Sequence, residues 1–372
     1  MKLFCRSCGE TVPHDTLAFE CECGGLFDLD FSPSFDPDAI ARRPPDLWRY
    51  REALPVSETY RVSLGEGMTP LLRVPVSGRE VLIKAEQASP TGSYKDRGAA
   101  LMISKAREMG VVGVVEDSSG NAGASVAAYC AAAGIDCSIF VPDSTSPGKL
   151  AQIELYGARL TKVPGSREDT AAAVLEAAQH SYYASHSYNP YYFHGTKTWA
   201  FEVVEQLGWT APDTVVLPAG NGTLLLGAYI GFSELLQAGM ISAMPRMVAV
   251  QGAGCAPLCK AFEQGLADIA PLRPTSTLAE GIAIAEPVRG AQMLESVRET
   301  GGLFLAVEDE EITTALLSMG RRGHCIEPTS AAVVAGLLRY LDTAPPDECI
   351  VSVFTGHGLK AAGKIEHMLA ER

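Results

Sequence analysis

The sequence predicts an α/β protein of two domains with a small cysteine-bearing segment ahead of them, and three observations carry that prediction. The chain has 372 residues, long enough for two domains of ordinary size and an appendage. From about residue 70 onward, short apolar runs alternate with helical patterns, which indicates parallel sheets with helices on both faces. Four of the ten cysteines fall within the first 23 residues, and the other six are scattered.

Composition narrows the class. Hydrophobic residues make up 47% of the chain and charged residues 20%, which suits a globular protein with a real core. A formal net charge of −14 argues against a nucleic-acid or anionic-membrane partner, since either needs clustered Lys and Arg. The first ten residues lack the apolar segment of a signal peptide. The longest weakly polar stretch, Ala122 to Ile135, is too short to span a bilayer. Scattered cysteines in such a chain are ordinarily buried, reduced thiols, so a soluble cytoplasmic protein is expected.

Residues 1–30 read as a separate zinc-ribbon-like unit. Cys5 and Cys8 form one C-x-x-C pair, Cys21 and Cys23 form a C-x-C pair, and Gly9 and Gly24 follow the two pairs directly. Four thiolates on two tight turns can close a tetrahedral zinc site with no open position, which makes a structural role the expectation; the same cysteines could also be a metal-free remnant. Residues 31–62 carry five prolines and no sustained periodicity, and are expected to be an irregular linker. Beyond them, strands are expected at Val81–Ala85, Val111–Val115, Cys137–Val141, Arg159–Val163, Thr214–Leu217, Met247–Gln251 and Ile350–Phe354. Helices are expected at Asp96–Met109, Ala122–Ala133, Pro147–Tyr156 and Glu168–Gln179. No internal repeat stands out.

In open α/β sheets, ligands sit where strands end and helices begin. Four such junctions have unusual loops. Ser89 to Gly98 places Lys95 at a helix start, where a lysine can form an imine with an aldehyde cofactor. Asp117 to Gly123 is a run of small and polar residues: Ser118 and Ser119 could bind a carboxylate, and Asn121 could donate an amide hydrogen bond. Leu217 to Thr223 is a Gly-rich turn before an apolar helix, suited to a phosphate but without the lysine of a nucleotide-binding P-loop. Val353 to Lys360 places the neutral hydroxyl of Thr355 at a strand end. Each loop alone has an ordinary reading as a helix cap or a surface turn.

Together and in this order, the loops resemble those of the fold-type II pyridoxal-phosphate enzymes, the tryptophan synthase β-like fold, and most closely its threonine synthase branch. The resemblance runs over nearly the whole chain and rests on the cysteine ribbon, Ser93–Gly98, Ser118–Gly123, His194–Thr198 with Ala200–Glu202, and Thr355–Lys360. It implies pyridoxal 5′-phosphate as cofactor, with Lys95 as the Schiff-base lysine and acid/base group. It further implies that Asn121 faces the cofactor's phenolic oxygen, that Gly220, Asn221, Gly222 and Thr223 hold its phosphate, and that Thr355 meets its ring nitrogen. A hydroxyl there does not force protonation of that nitrogen as a carboxylate would. The expected layout is a large cofactor-binding domain of residues 60–100 and 186–372 and a small α/β domain of residues 101–185, with the cofactor between them. A homodimer acting on a small amino acid is expected.

One segment departs from the pattern. Family members usually carry Arg shortly after Asn-Pro, whereas here Tyr191 and Tyr192 follow Pro190. A phenol cannot replace the charge of a guanidinium on a phosphate. Lys149, Lys197 and Arg97 are the candidate substitutes. The leading expectation is conversion of O-phosphohomoserine to threonine. A cysteate-synthase-like replacement on O-phosphoserine, or an ammonia-lyase or dehydratase reaction on an unphosphorylated substrate, are the alternatives, and a catalytically idle cofactor- or metal-holding regulator is the reading from another class.

Overall fold

The computed structural model describes residues 1–145, 147–165, 167–269 and 271–370, apart from the side chains of 147–149, 167 and 168. Contacts gather the chain into two units, Met1–Met68 with Lys95–Thr198 and Thr69–Tyr94 with Trp199–Arg372.

In the first unit the ribbon is a three-stranded antiparallel sheet, with Lys2–Cys5 between Thr11–Val12 and Phe27–Asp30. Gly9 and Gly24 adopt φ of +76° and +79°, the left-handed turns that close the two knuckles. The linker is less irregular than its prolines suggest. It holds the short helical turns Pro37–Ala41, Leu47–Ala53 and Glu58–Tyr60, each opened by an acidic or hydroxyl cap: Asp36, Asp46 and Ser57. Turns this brief leave no periodicity to read.

The body of this unit is a parallel sheet in the order Arg159–Val163, Asp136–Pro142, Gly113–Glu116, Tyr182–Tyr183. Against it lies the helix Asn121–Ala133, which packs on the helix Lys95–Glu108. The latter is buried nearly all round, its polar Asp96, Arg97, Ser104 and Lys105 included, with Ala99 through Ile103 and Ala106 fully buried. It also packs on the short helix Pro190–Thr196. A Cβ on Gly98 would lie 2.2 Å from Tyr192 Cε1, and one on Gly195 would lie 2.1 Å from the Arg97 carbonyl. Two glycines therefore let the helices approach to backbone contact. This packing places residues 95–100 and 186–198 with 101–185, where the sequence expectation grouped them with the larger body. Residues 1–30 share the unit as well.

The second unit is a six-stranded sheet in the order Leu303–Val307, Arg246–Gly252, Thr214–Pro218, Ile350–Phe354, Arg79–Ala85, Leu71–Val76. Every pairing is parallel except the last, a hairpin turned by Ser77 and Gly78 at φ of +47° and +73°. All residues of Thr214–Pro218 and Ile350–Phe354 are buried, as expected of central parallel strands covered on both faces. Lys84 nevertheless sits inside this unit, its ammonium 2.8 Å from Glu202 with both side chains fully buried.

Among the described residues, no helix is long and apolar enough to cross a membrane.

Candidate active site

Lys95 opens its helix and is half-buried. Its ammonium lies 6.0 Å from the ring centroid of Tyr192, and the Tyr192 hydroxyl donates to the Lys95 carbonyl at 2.9 Å. The fully buried phenol thus pins the first turn of the lysine's helix. Asp96 and Arg97, which read from the sequence as ordinary helix-start charges, are fully buried too. Asp96 accepts from Ser125 Oγ at 2.7 Å, and Arg97 donates to Thr198 Oγ1 at 3.2 Å.

The Ser118–Asn121 loop follows the strand Gly113–Glu116, and Ser118, Ser119 and Asn121 remain partly accessible. The loop is braced from below by Glu116, a fully buried carboxylate. One carboxylate oxygen accepts from the Ser118 backbone N–H, and the other lies 2.8 Å from Nδ1 of the buried His186. Asn121 is the first residue of the helix Asn121–Ala133, whose N-terminus has no side-chain cap. Its first-turn amides face the loop, a favourable setting for an anion.

In the second unit, the loop Gly220–Thr223 joins the buried strand Thr214–Pro218 to the helix Thr223–Gln237. Gly222 caps that helix at φ +81°, again without a side-chain cap. A Cβ on Gly220 would lie 2.8 Å from Ile282 Cα, and one on Gly222 would lie 2.6 Å from Met293 Sδ. Only glycine fits at either position. Thr223 Oγ1 lies 2.6 Å from the Tyr94 hydroxyl.

Thr355, at the end of Ile350–Phe354, is fully buried and donates to Glu327 Oε1 at 2.7 Å. Ser330 Oγ lies 2.9 Å from the same hydroxyl and accepts from the backbone N–H of Thr355 and Gly356 at 2.8 and 3.3 Å. The segment before Lys95 runs alongside. The Tyr94 N–H donates to the Thr355 carbonyl, Ser93 bridges Gly356, and the Lys360 ammonium donates to the Thr91 carbonyl. Tyr94 thus touches both the Gly220–Thr223 loop and Thr355, and it is peptide-bonded to Lys95.

Two buried hydroxyls in this unit, on Ser89 and Ser93, have no hydrogen-bond partner. A buried polar group left unpaired is costly, and Ser93 stands two residues before Lys95. An orphaned hydroxyl and a glycine cradle at an uncapped helix start suit the phosphate of a cofactor such as pyridoxal phosphate.

The remaining expected residues lie as follows. Lys149 falls on the helix Pro147–Leu155, with its side chain outside the described residues. Lys197 is fully buried, 2.9 Å from His194 Nδ1 and 4.9 Å from the Phe31 ring centroid. Arg97 and Lys197 are thus absorbed in the packing of their unit. His357 caps the turn Gly358–Ala361 by accepting from the Leu359 N–H. The four cysteine sulfurs of Cys5, Cys8, Cys21 and Cys23 lie within 4.8 Å of one another. Cys5 and Cys23 are 3.5 Å apart and Cys8 and Cys21 are 3.7 Å apart. A tetrahedron with zinc–sulfur bonds of about 2.3 Å has edges of about 3.8 Å, so the spacing matches.

Sequence reasoning missed the bracing groups Glu116, His186, Glu327 and Ser330. Only Glu116 could have been found, since it lies within two residues of a marked loop.

Residues 62–356 match the family model described as pyridoxal-phosphate dependent enzyme. The threonine synthase of Methanocaldococcus jannaschii is 38% identical, over 96% of this chain and 92% of that protein. That of Methanosarcina acetivorans is 36% identical over the same shares. Among solved structures, maize serine racemase superposes with a TM-score of 0.70 at 21% identity, covering 88% of this chain and 98% of that one. The processed form of threonine deaminase isoform 2 from Solanum lycopersicum gives a TM-score of 0.70 at 21% identity, covering 94% and 93%. At that identity the two structures speak for the fold alone. The family match and the full-length similarity together establish that the chain belongs to the pyridoxal-phosphate-dependent enzymes.

Proposed function

We propose that the protein is a threonine synthase, a lyase that converts O-phosphohomoserine and water to threonine and phosphate. The observation that carries this reading is 38% identity to a threonine synthase over 96% of this chain. The pyridoxal ring, when bound, stabilises negative charge on carbons next to the substrate amino group. Lys95 would hold the cofactor as an imine and, as the free amine, would take the proton from Cα. A second proton would leave Cβ as the γ-phosphate departs with its bonding electrons; the two protons return at Cγ and at Cα, and water gives its hydroxyl to Cβ and its remaining proton to the phosphate. Ser118, Ser119 and the amides of the following helix bind the substrate carboxylate. With the cofactor bound, Asn121 would face its phenolic oxygen, Gly220, Asn221, Gly222 and Thr223 would take its phosphate, and Thr355 would meet its ring nitrogen. Tyr192 holds the lysine's helix. Lys149, Lys197 and Arg97 are the candidate cations for the substrate phosphate.

Incubating the holoenzyme with O-phosphohomoserine should release phosphate and threonine in equal amounts, with O-phosphoserine and serine turned over far more slowly. Faster turnover of O-phosphoserine would favour a replacement reaction, and faster turnover of serine an ammonia-lyase. Cys5, Cys8, Cys21 and Cys23 hold one structural zinc per chain, and elemental analysis of protein purified without chelator tests that. Reduced thiols and an acidic charge suit the cytoplasm. Sedimentation of the holoenzyme tests the expected homodimer.

A further inference from the structure

We infer that Tyr94 is a positioning residue for the cofactor phosphate, acting through the hydroxyl of Thr223. The inference rests on the reading that Gly220, Asn221, Gly222 and Thr223 take that phosphate, and it adds a residue to that hold.

The strands Thr214–Pro218 and Ile350–Phe354 are parallel neighbours in the six-stranded sheet, with Thr214 opposite Ile350 and Val215 opposite Val351. The loops that follow them leave the sheet side by side, at the end where open α/β sheets take their ligands. Tyr94 is tied to both. Its backbone N–H donates to the Thr355 carbonyl at 3.1 Å, and its phenolic oxygen lies 2.6 Å from Thr223 Oγ1. The stretch before it is held as well. The His357 N–H donates to the Gly92 carbonyl at 2.9 Å, and Ser93 pairs with Gly356 as an antiparallel bridge. A backbone held at these points fixes where the phenol starts. Both ends of the contact are buried, Tyr94 at 8% and Thr223 at 1% exposed.

Thr223 is the first residue of the helix Thr223–Gln237, and Gly222 before it supplies no side-chain cap. Such a helix start offers its first-turn amides to an anion, and a hydroxyl at the first position can add a hydrogen bond to theirs. The threonine side chain turns about one bond and its hydroxyl about another, so the added bond forms only when both point at the ligand. The Tyr94 contact holds that oxygen in place before a ligand arrives, which lowers the ordering cost of binding. A phosphate offers lone pairs alone, and either oxygen of the Tyr94–Thr223 pair can act as donor. The neighbour of Tyr94 in the chain, Ser93, is fully buried with its hydroxyl unpartnered. A hydroxyl in that state is costly unless a polar ligand meets it, which marks the same stretch as facing one. Tyr94 is a positioning residue here, since it works through Thr223.

The test titrates cofactor-free protein, prepared from the holoenzyme, with pyridoxal 5′-phosphate and with pyridoxal, which has the same ring and aldehyde but no phosphate. Tyr94→Phe should weaken binding of pyridoxal phosphate about tenfold and leave that of pyridoxal within about twofold. Thr223→Val should weaken pyridoxal phosphate at least as much, and adding Tyr94→Phe to it should change the affinity by less than about twofold. The phosphorus resonance of the bound cofactor should move in Tyr94→Phe toward its position in Thr223→Val. Equal losses for both aldehydes would make Tyr94 a structural residue and overturn the inference. A loss of about tenfold from Tyr94→Phe in the Thr223→Val background overturns it too, because Tyr94 would then act without Thr223. If Thr223→Val weakens pyridoxal phosphate and Tyr94→Phe does not, the inference fails while the phosphate site stands. If neither variant changes that affinity, the placement of the phosphate at Gly220–Thr223 fails together with the inference. Should Tyr94→Phe not fold, Tyr94→Met, which also lacks the hydroxyl, takes its place in every comparison.

Discussion

The Ser118–Asn121 loop and the Thr355 loop, one in each unit, solve the same problem with the same kind of group placed differently. Both follow a buried parallel strand, and both are held from beneath by a buried carboxylate. Glu116 lies on the strand that feeds its loop and grips a backbone N–H on one side and His186 on the other. Glu327 comes from the start of a neighbouring helix and grips a side-chain hydroxyl. The first arrangement fixes where a loop's backbone runs. The second leaves the backbone to Ser330 and spends the carboxylate on the hydroxyl of Thr355. A buried carboxylate can thus hold a backbone in one loop and a side chain in the other.

Stability measurements can break this comparison. Glu116→Ala removes the acceptor of the Ser118 N–H and a contact of the buried His186, and it should cost about 3 kcal/mol, read as a lowered denaturant midpoint. Glu327→Gln keeps the shape and most of the hydrogen bonding, and should cost about 1 kcal/mol. Equal losses would mean that Glu327 is as much a structural brace as Glu116.

A pH series sharpens the contrast on the Lys95 side. Burial first, and the neighbouring Lys197 charge second, hold His194 well below its ordinary value of 6.5. Below about pH 6.5 the unfolded chain takes up a proton there that the folded chain refuses, so stability falls as pH drops, by at most about 1.4 kcal/mol per unit from this group. His194→Gln should flatten that slope between pH 7 and roughly pH 5 relative to the unmodified protein. An unchanged slope would show that His194 is not the group responsible.

The smallest effect belongs to Tyr192→Phe. It removes one hydrogen bond to the Lys95 carbonyl while keeping the ring against Gly98, and should cost about 1 kcal/mol of stability or less. A loss of several kcal/mol would mean that the hydroxyl does more than pin the helix start.

Much of this was legible in the sequence, for identifiable reasons. The central strands Thr214–Pro218 and Ile350–Phe354 are continuous apolar runs, and the loops after them stand out by their glycines and small residues. The helix Pro190–Thr196 was not legible because all seven of its residues are buried, so no polar face marks a period. Arg97 and Lys197 read as available cations because a sequence does not say which side of a helix meets solvent; both are fully buried. Glu327 lies 28 residues from Thr355 along the chain, and nothing local in the sequence connects them.

The central claim is that Lys95 carries the cofactor, and borohydride reduction of the holoenzyme followed by peptide mapping tests it directly. Reduction fixes the cofactor on whichever lysine it has joined. The label should appear on the peptide containing Lys95, and Lys95→Ala should abolish both the label and the visible absorption of the bound cofactor, with turnover reduced by at least on the order of 10²–10⁴-fold. Label on any other lysine, or a persistent visible band in Lys95→Ala, would contradict the account.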